Sequence, residues 1–389
     1  MRKFISRTII IAVILCSICF VTYKFYDVTT IEDTSTKNVK QNNMLSMMLE
    51  TEAKSGQYEM TTSSSWSTDG YVFNSELSKC ENGSSLSWDD TNKQVIFNGN
   101  VSDKCYVYFD VYVAPPYHET CNDNSLSCYV AKQYTGTQGK NNIYYHDSNL
   151  ENGAGDNSYR YAGANADVNN YICLGSSDAT CPEDNLYRII GVFGDNNHGI
   201  KDQQLVKVIK NTSMDNIAWN SANKNDWASA SLNETLNSTF KTEKLSGIED
   251  NIAEVSWKVS GYKSSSATAK SAYTTEITNA KKENIAKIGL MYPSDYGFAT
   301  TQDYWGYRLF NYDIEKAYNK DWLYMGLDEW LLSPNSDYSS RAWYVSSSGS
   351  VYGGNDVTST RAVRPSFYLL SSVNYVSGDG TQSSPIIVN

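Results

Sequence analysis

The sequence predicts an α+β fold class: an N-terminal transmembrane helix, a small all-β domain stapled by a disulfide, and a larger C-terminal domain mixing strands with a helix. Three observations carry this. An apolar run over residues 8–23 follows Arg2, Lys3 and Arg7. Six cysteines lie between residues 80 and 181, beyond that run. Segments rich in Val, Ile, Tyr and Phe recur along the rest, interrupted by one stretch of helical period.

With Phe4 and Ile5 the apolar run just reaches the about 20 residues that cross a bilayer. The three basic residues before it, against Lys24 alone just after it, orient the N-terminus to the cytoplasm and the remainder outside. The expected location is therefore the cell membrane, single-pass, with the C-terminal part extracellular. A cleaved export signal is the alternative, but no small-residue cleavage site follows the run. Leu15 and Ile18 precede Cys16 and Cys19, which argues against a lipoprotein box.

Residues 24–56 read as a polar, aperiodic stalk, with 44–53 as a helical turn or two. Residues 57–113 read as the small β domain. Within it, Cys105, Val107, Phe109 and Val111 share one face, and Tyr106, Tyr108, Asp110 and Tyr112 the other. Trp88-Asp89-Asp90-Thr91-Asn92 reads as a hairpin turn. Ala114-Pro115-Pro116 marks a boundary, and residues 114–185 form a loop-rich connector. Residues 186–389 form the C-terminal domain, with strands expected at 186–193, 204–210, 285–292, 341–345 and 363–369. A helix is expected from Ser231, in capping-box spacing with Glu234, with Leu232, Leu236 and Phe240 on one face.

Cys80, Cys105, Cys121, Cys128, Cys173 and Cys181 form an even set in an exported chain, which argues for disulfides. Six cysteines allow about 15 connectivities; nearest-neighbour pairing (80–105, 121–128, 173–181) is the simplest. No zinc-type Cys/His spacing competes with it outside the apolar run. The 389 residues carry a net charge of −11, which disfavours nucleic acid and anionic lipid as partners. Thirty tyrosines among many Ser, Asn and Gly suit strand-rich extracellular domains.

Two blocks of the C-terminal half resemble a bacterial and phage domain family of unknown function. The first holds Trp227, Ser229, Leu232, Leu236-Asn237 and Phe240. The second holds Trp330-Leu331-Leu332-Ser333-Pro334, Gly349 and Val363-Arg364-Pro365. That family commonly has Arg where Leu332 stands. The resemblance implies a C-type-lectin-like fold of the formylglycine-generating-enzyme kind over residues 186–389 and a surface location. It implies no activity.

The chain has none of the common catalytic motifs, and its three histidines lie in linker or Gly/Asn/Asp-rich segments. Asp295, Asp328 and Glu329 are the carboxylates a glycosidase pair would need. Asp195-Asn196-Asn197 and Asp379 read as turns rather than calcium ligands, and no cofactor or obligatory metal is expected. The expected function is a ligand-binding head, an adhesin or receptor for a cell-surface glycan or protein. The alternatives are a surface hydrolase acting on glycans and a pilus or surface-assembly subunit. The recognition residues are sought in 333–360, where aromatics interleave with Ser, Gly and Asn: Tyr338, Arg341, Trp343, Tyr344, Tyr352, Asn355 and Asp356. Trp343 and Tyr344 are adjacent, so a strand turns one of them into the core. Trp227, Trp330 and Arg364 read as structural, the last paired with a carboxylate or carbonyl.

Overall fold

The computed structural model describes residues 45–389 apart from 62–69, 101, 177, 179 and 262–265. The expected membrane helix falls outside the described residues. Among those residues no helix is long and apolar enough to cross a membrane. The chain divides into two compact units, 1–115 and 116–389, with the division falling between Pro115 and Pro116.

The first unit is built from β1 (Leu45–Glu50), β2 (Tyr58–Thr61), β3 (Tyr71–Cys80), β4 (Ser85–Asp89), β5 (Gln94–Asn98) and β6 (Cys105–Val111). Its sheet runs β2-β1-β6-β3, and β4 and β5 form a separate hairpin. The stretch read as a helical turn is the strand β1. Leu45, Met47 and Leu49 alternate along it, and β1 pairs in parallel with β6, Leu45 beside Cys105 and Leu49 beside Phe109. Met47, Val107 and Phe109 are buried together with Val95, and the Trp88 ring packs edge-on against Phe109 at 5.2 Å. The Cys80–Cys105 disulfide ties β3 to β6 within this small core.

The second unit continues with β7 (Ile143–Tyr145), β8 (Tyr159–Tyr161), β9 (Tyr171–Cys173), β10 (Leu186–Phe193), β11 (Leu205–Lys210) and β12 (Met214–Ala218). Then come β13 (Val255–Lys258), β14 (Glu283–Ala286), β15 (Ile288–Gly289), β16 (Glu329–Pro334), β17 (Arg341–Val345) and β18 (Val351–Asp356). The last strands are β19 (Thr360–Val363), β20 (Ser366–Leu369), β21 (Tyr375–Ser377) and β22 (Ile386–Val388). A nine-stranded sheet follows β15-β20-β11-β10-β9-β22-β21, with β8 and β7 branching from β10. A five-stranded sheet follows β12-β19-β16-β17-β18. Every residue of β10 and of β11 is buried, the pattern of central strands covered on both faces. The segment read as one strand over 363–369 is two, β19 and β20. Arg364-Pro365 breaks it and sends the halves into different sheets.

These features correct the expected α+β class. The described residues are mostly β, and their helices are short; the helix Pro293–Ala299 has seven residues. The helix expected at Ser231 is the turn Ser231–Thr235 followed by a π-helical turn, Leu236–Phe240. Leu232, Leu236 and Phe240 are buried as their spacing predicts, but the capping box does not form. Ala230 stands at the N-cap, and the Ser231 hydroxyl accepts from the Ser221 N–H instead. All three nearest-neighbour disulfides are present.

The core of the second unit holds charges as well as hydrocarbon. Lys207, on β11, is buried and its Nζ lies 2.5 Å from Asp295. Arg160, on β8, bonds Asp156 at 2.8 Å and is 3.7 Å from Asp295. Although burial opposes it, the Arg160 charge holds the Asp156 carboxyl down at about 2. Glu276 accepts from the Ser294 N–H and the Ser333 hydroxyl, and burial pushes it up to about 7.

Candidate functional site

The five-stranded sheet carries the residues that the sequence points to. β16, β17 and β18 place Trp330, Tyr344 and Tyr352 directly opposite one another, Trp330 with Tyr344 and Tyr344 with Tyr352. Cross-strand neighbours on one face are the unit of contact in a sheet, and here they form a ladder. Tyr344 and Tyr352 stack with ring centroids 5.9 Å apart, and Trp330 meets Tyr344 edge-on at 6.3 Å. Phe310, from the loop ahead of β16, extends the row, edge-on to Tyr352 at 4.9 Å.

One end of the ladder is capped by a cation. The Arg361 guanidinium lies 3.9 Å from the Tyr344 ring centre and 5.3 Å from that of Trp330, within cation–π range. Asp328 pairs with Arg361 and accepts from the Ser347 N–H. Against the effect of partial burial, these two contacts keep its carboxyl below its ordinary range. Trp330 is wholly buried, Tyr344 and Tyr352 are half-buried, and Phe310 is exposed. The row thus runs from the core out to the surface.

Trp343 is not on this face. It is 3% exposed, and its ring fills the space left by Gly353, where a Cβ would overlap it. Between the Ala342–Asn355 and Tyr344–Tyr352 pairs, β18 carries one residue more than β17. That bulge occurs at Gly353-Gly354, on an edge strand, where bulges redirect side chains.

No family model, curated protein or solved structure matches the chain. The C-type-lectin-like expectation for residues 186–389 has no counterpart among these comparisons.

Arg341 pairs in register with Asp356, and Asn355 with Ala342, at the far end of the same hairpin. Tyr338 is exposed, its ring covered by the Arg341 guanidinium at 4.3 Å. The loop that carries Tyr338 is fixed by one side chain. Asn225 Nδ2 donates to the carbonyls of Asn335, Tyr338 and Arg341 at 2.7–2.9 Å. The structure therefore brings Tyr344 and Tyr352 together, sets Tyr338, Arg341, Asn355 and Asp356 at the hairpin end, and removes Trp343 to the core. Phe310, Arg361 and Asn225 are the additions. Arg361 was within reach of sequence reasoning, since it precedes the buried Val363 at strand spacing. Phe310 and Asn225 meet the site only through tertiary contacts.

Proposed function

We propose that this is an exported, disulfide-bonded surface protein that binds a glycan or protein ligand across the aromatic ladder of its five-stranded sheet. The observation that carries the reading is the row Tyr344–Tyr352–Phe310, which leaves the core and ends in the exposed Phe310 ring beside an edge strand. Rigid aromatic rings provide contact area at little cost in side-chain entropy, and neighbouring Ser, Gly and Asn provide adaptable hydrogen bonds. Arg361, already stacked on Tyr344, adds a charged group of the kind enriched in binding hot spots. Three disulfides suit an oxidising exterior.

The test is a glycan array and a surface-protein pull-down with the full chain, repeated with Tyr344→Ala/Tyr352→Ala. Both tyrosines are half-buried, so folding of the variant is checked by circular dichroism. The expected result is a ligand whose capture falls at least about tenfold in the folded variant, as loss of two hot-spot aromatics implies. Undiminished capture would remove the ladder from the recognition surface.

A further inference from the structure

A concavity borders the loop that Asn225 pins. It is a groove of about 970 Å³ within the second unit, at the upper end of the range of small-molecule sites. One wall is the end of the π-helical turn Thr274–Thr278 and the residues that lead into β14; another is the loop between β16 and β17. Trp227 also lines it.

Part of the lining is polar and already committed within the fold, through Asn225, Asp226, Ser260, Thr275 and Asn335; the rest is uncommitted. Among the described residues, the side chains of Thr278, Asn279, Lys281, Lys282, Ser336 and Ser339 line the groove and have no hydrogen-bond or ion-pair partner. Trp227 is 1% exposed, and its Nε1–H, a donor, is likewise unpaired. A buried donor without a partner is uncommon in folded proteins and calls for an explanation. The charges of the walls balance: Lys281 and Lys282 on one side, Asp226 and Asp337 on the others. A site with no excess charge gains little by selecting an ion. A site dense in free hydroxyl, amide and ammonium groups is suited to a ligand with many neutral hydrogen-bonding groups and no net charge.

We propose that this groove binds a short, uncharged oligosaccharide. The recognition is by hydrogen bonds from Thr278 and Asn279 on one wall and Ser336 and Ser339 on the other. The site is separate from the aromatic ladder and shares no lining residue with it.

The experiment is isothermal titration of the full chain with three neutral trisaccharides, maltotriose, mannotriose and N-acetylchitotriose, with spermine and trigalacturonate as charged controls. At least one neutral trisaccharide is expected to bind with an affinity that changes less than about twofold between low and high salt, since no ion pair is screened. Asn279→Ala/Ser339→Ala, at two exposed positions, is expected to weaken it about tenfold, the effect of losing two ordinary hydrogen bonds. A loss seen only in Tyr344→Ala/Tyr352→Ala assigns the saccharide to the ladder, and a loss seen only in Asn279→Ala/Ser339→Ala assigns it to the groove, so failure of the groove and failure of the ladder read separately. Binding of none of the neutral probes, preference for a charged control, or full affinity in the Asn279→Ala/Ser339→Ala protein would each overturn the proposal.

Discussion

The Cα of Gly353 lies against the indole of Trp343, so that any Cβ at 353 would overlap the ring. The bulge on β18 and the burial of Trp343 are therefore one arrangement: the small residue makes the cavity, and the large one fills it. Gly353→Ala is expected to destabilise the second unit by about 1–3 kcal/mol, the usual cost of overpacking a filled core. It should also disturb the Tyr344–Tyr352 register. Thermal unfolding followed by near-ultraviolet circular dichroism measures both effects, and an unshifted melting temperature would contradict the packing.

Glu276 makes stability depend on pH in a definite direction. Its folded pKa is raised, to about 7, so its contribution is fully present below the unfolded value of about 4.5 and is lost as pH rises through about 7. The shift corresponds to on the order of 3 kcal/mol. His146, which burial holds well below its ordinary value, acts in the opposite sense, losing stability as pH falls below about 6.5. The difference between the protein and Glu276→Gln isolates the glutamate. Urea unfolding of both at pH 5 and pH 8 is expected to show a larger loss on going to pH 8 where Glu276 is present, because Asp321 and Glu329, also raised by burial, remain in both proteins.

Arg364 forks onto Glu329, with Nε at 2.7 Å and Nη2 at 2.9 Å, and Nη2 also reaches the Leu323 carbonyl at 2.6 Å. Both side chains are buried. Arg364→Met strands the Glu329 carboxyl and is expected to cost about 3–5 kcal/mol. Replacing both, as Arg364→Met/Glu329→Leu, should recover most of that loss. A double-mutant cycle by thermal denaturation checks the prediction, and additive losses would exclude the coupling.

The disulfide of the first unit closes a separation of 25 residues, worth about 3 kcal/mol in unfolded-chain entropy. The apolar cluster it supports is small. Cys80→Ser/Cys105→Ser is expected to open residues 45–115 to protease while residues 116–389 resist. Mass spectrometry of the fragments reads this directly. Equal resistance of both units would show that the core there suffices without the bond.

Local patterns were the legible part of this sequence. The three cysteine pairs join neighbours in chain order, the simplest of the connectivities, and strict alternation exposed the buried face of β6 at Cys105, Val107 and Phe109. Leu232, Leu236 and Phe240 share a buried helical face because three turns suffice to show a period. The strand β1 was not legible: Leu45, Met48 and Leu49 fit a helical spacing as well as Leu45, Met47 and Leu49 fit a strand. Its partner, β6, lies far along the chain. At the site, adjacency of Trp343 and Tyr344 left the choice of inner residue open until Gly353 decided it. The ladder's other members, Trp330, Arg361 and Phe310, arrive from separate strands and a loop, and long-range register has no signature in a single sequence.

The side-by-side, parallel placement of β1 and β6 has a mechanical corollary. Among the described residues, the first strand starts at Leu45 and the last ends at Val111, at opposite ends of one parallel ladder. Tension between the two ends would load those rungs together, in shear, instead of opening them singly like a zip. The sulfur link between Cys80 and Cys105 withholds the intervening chain from extension even after the rungs give way. A unit built this way would resist pulling better than its modest core suggests.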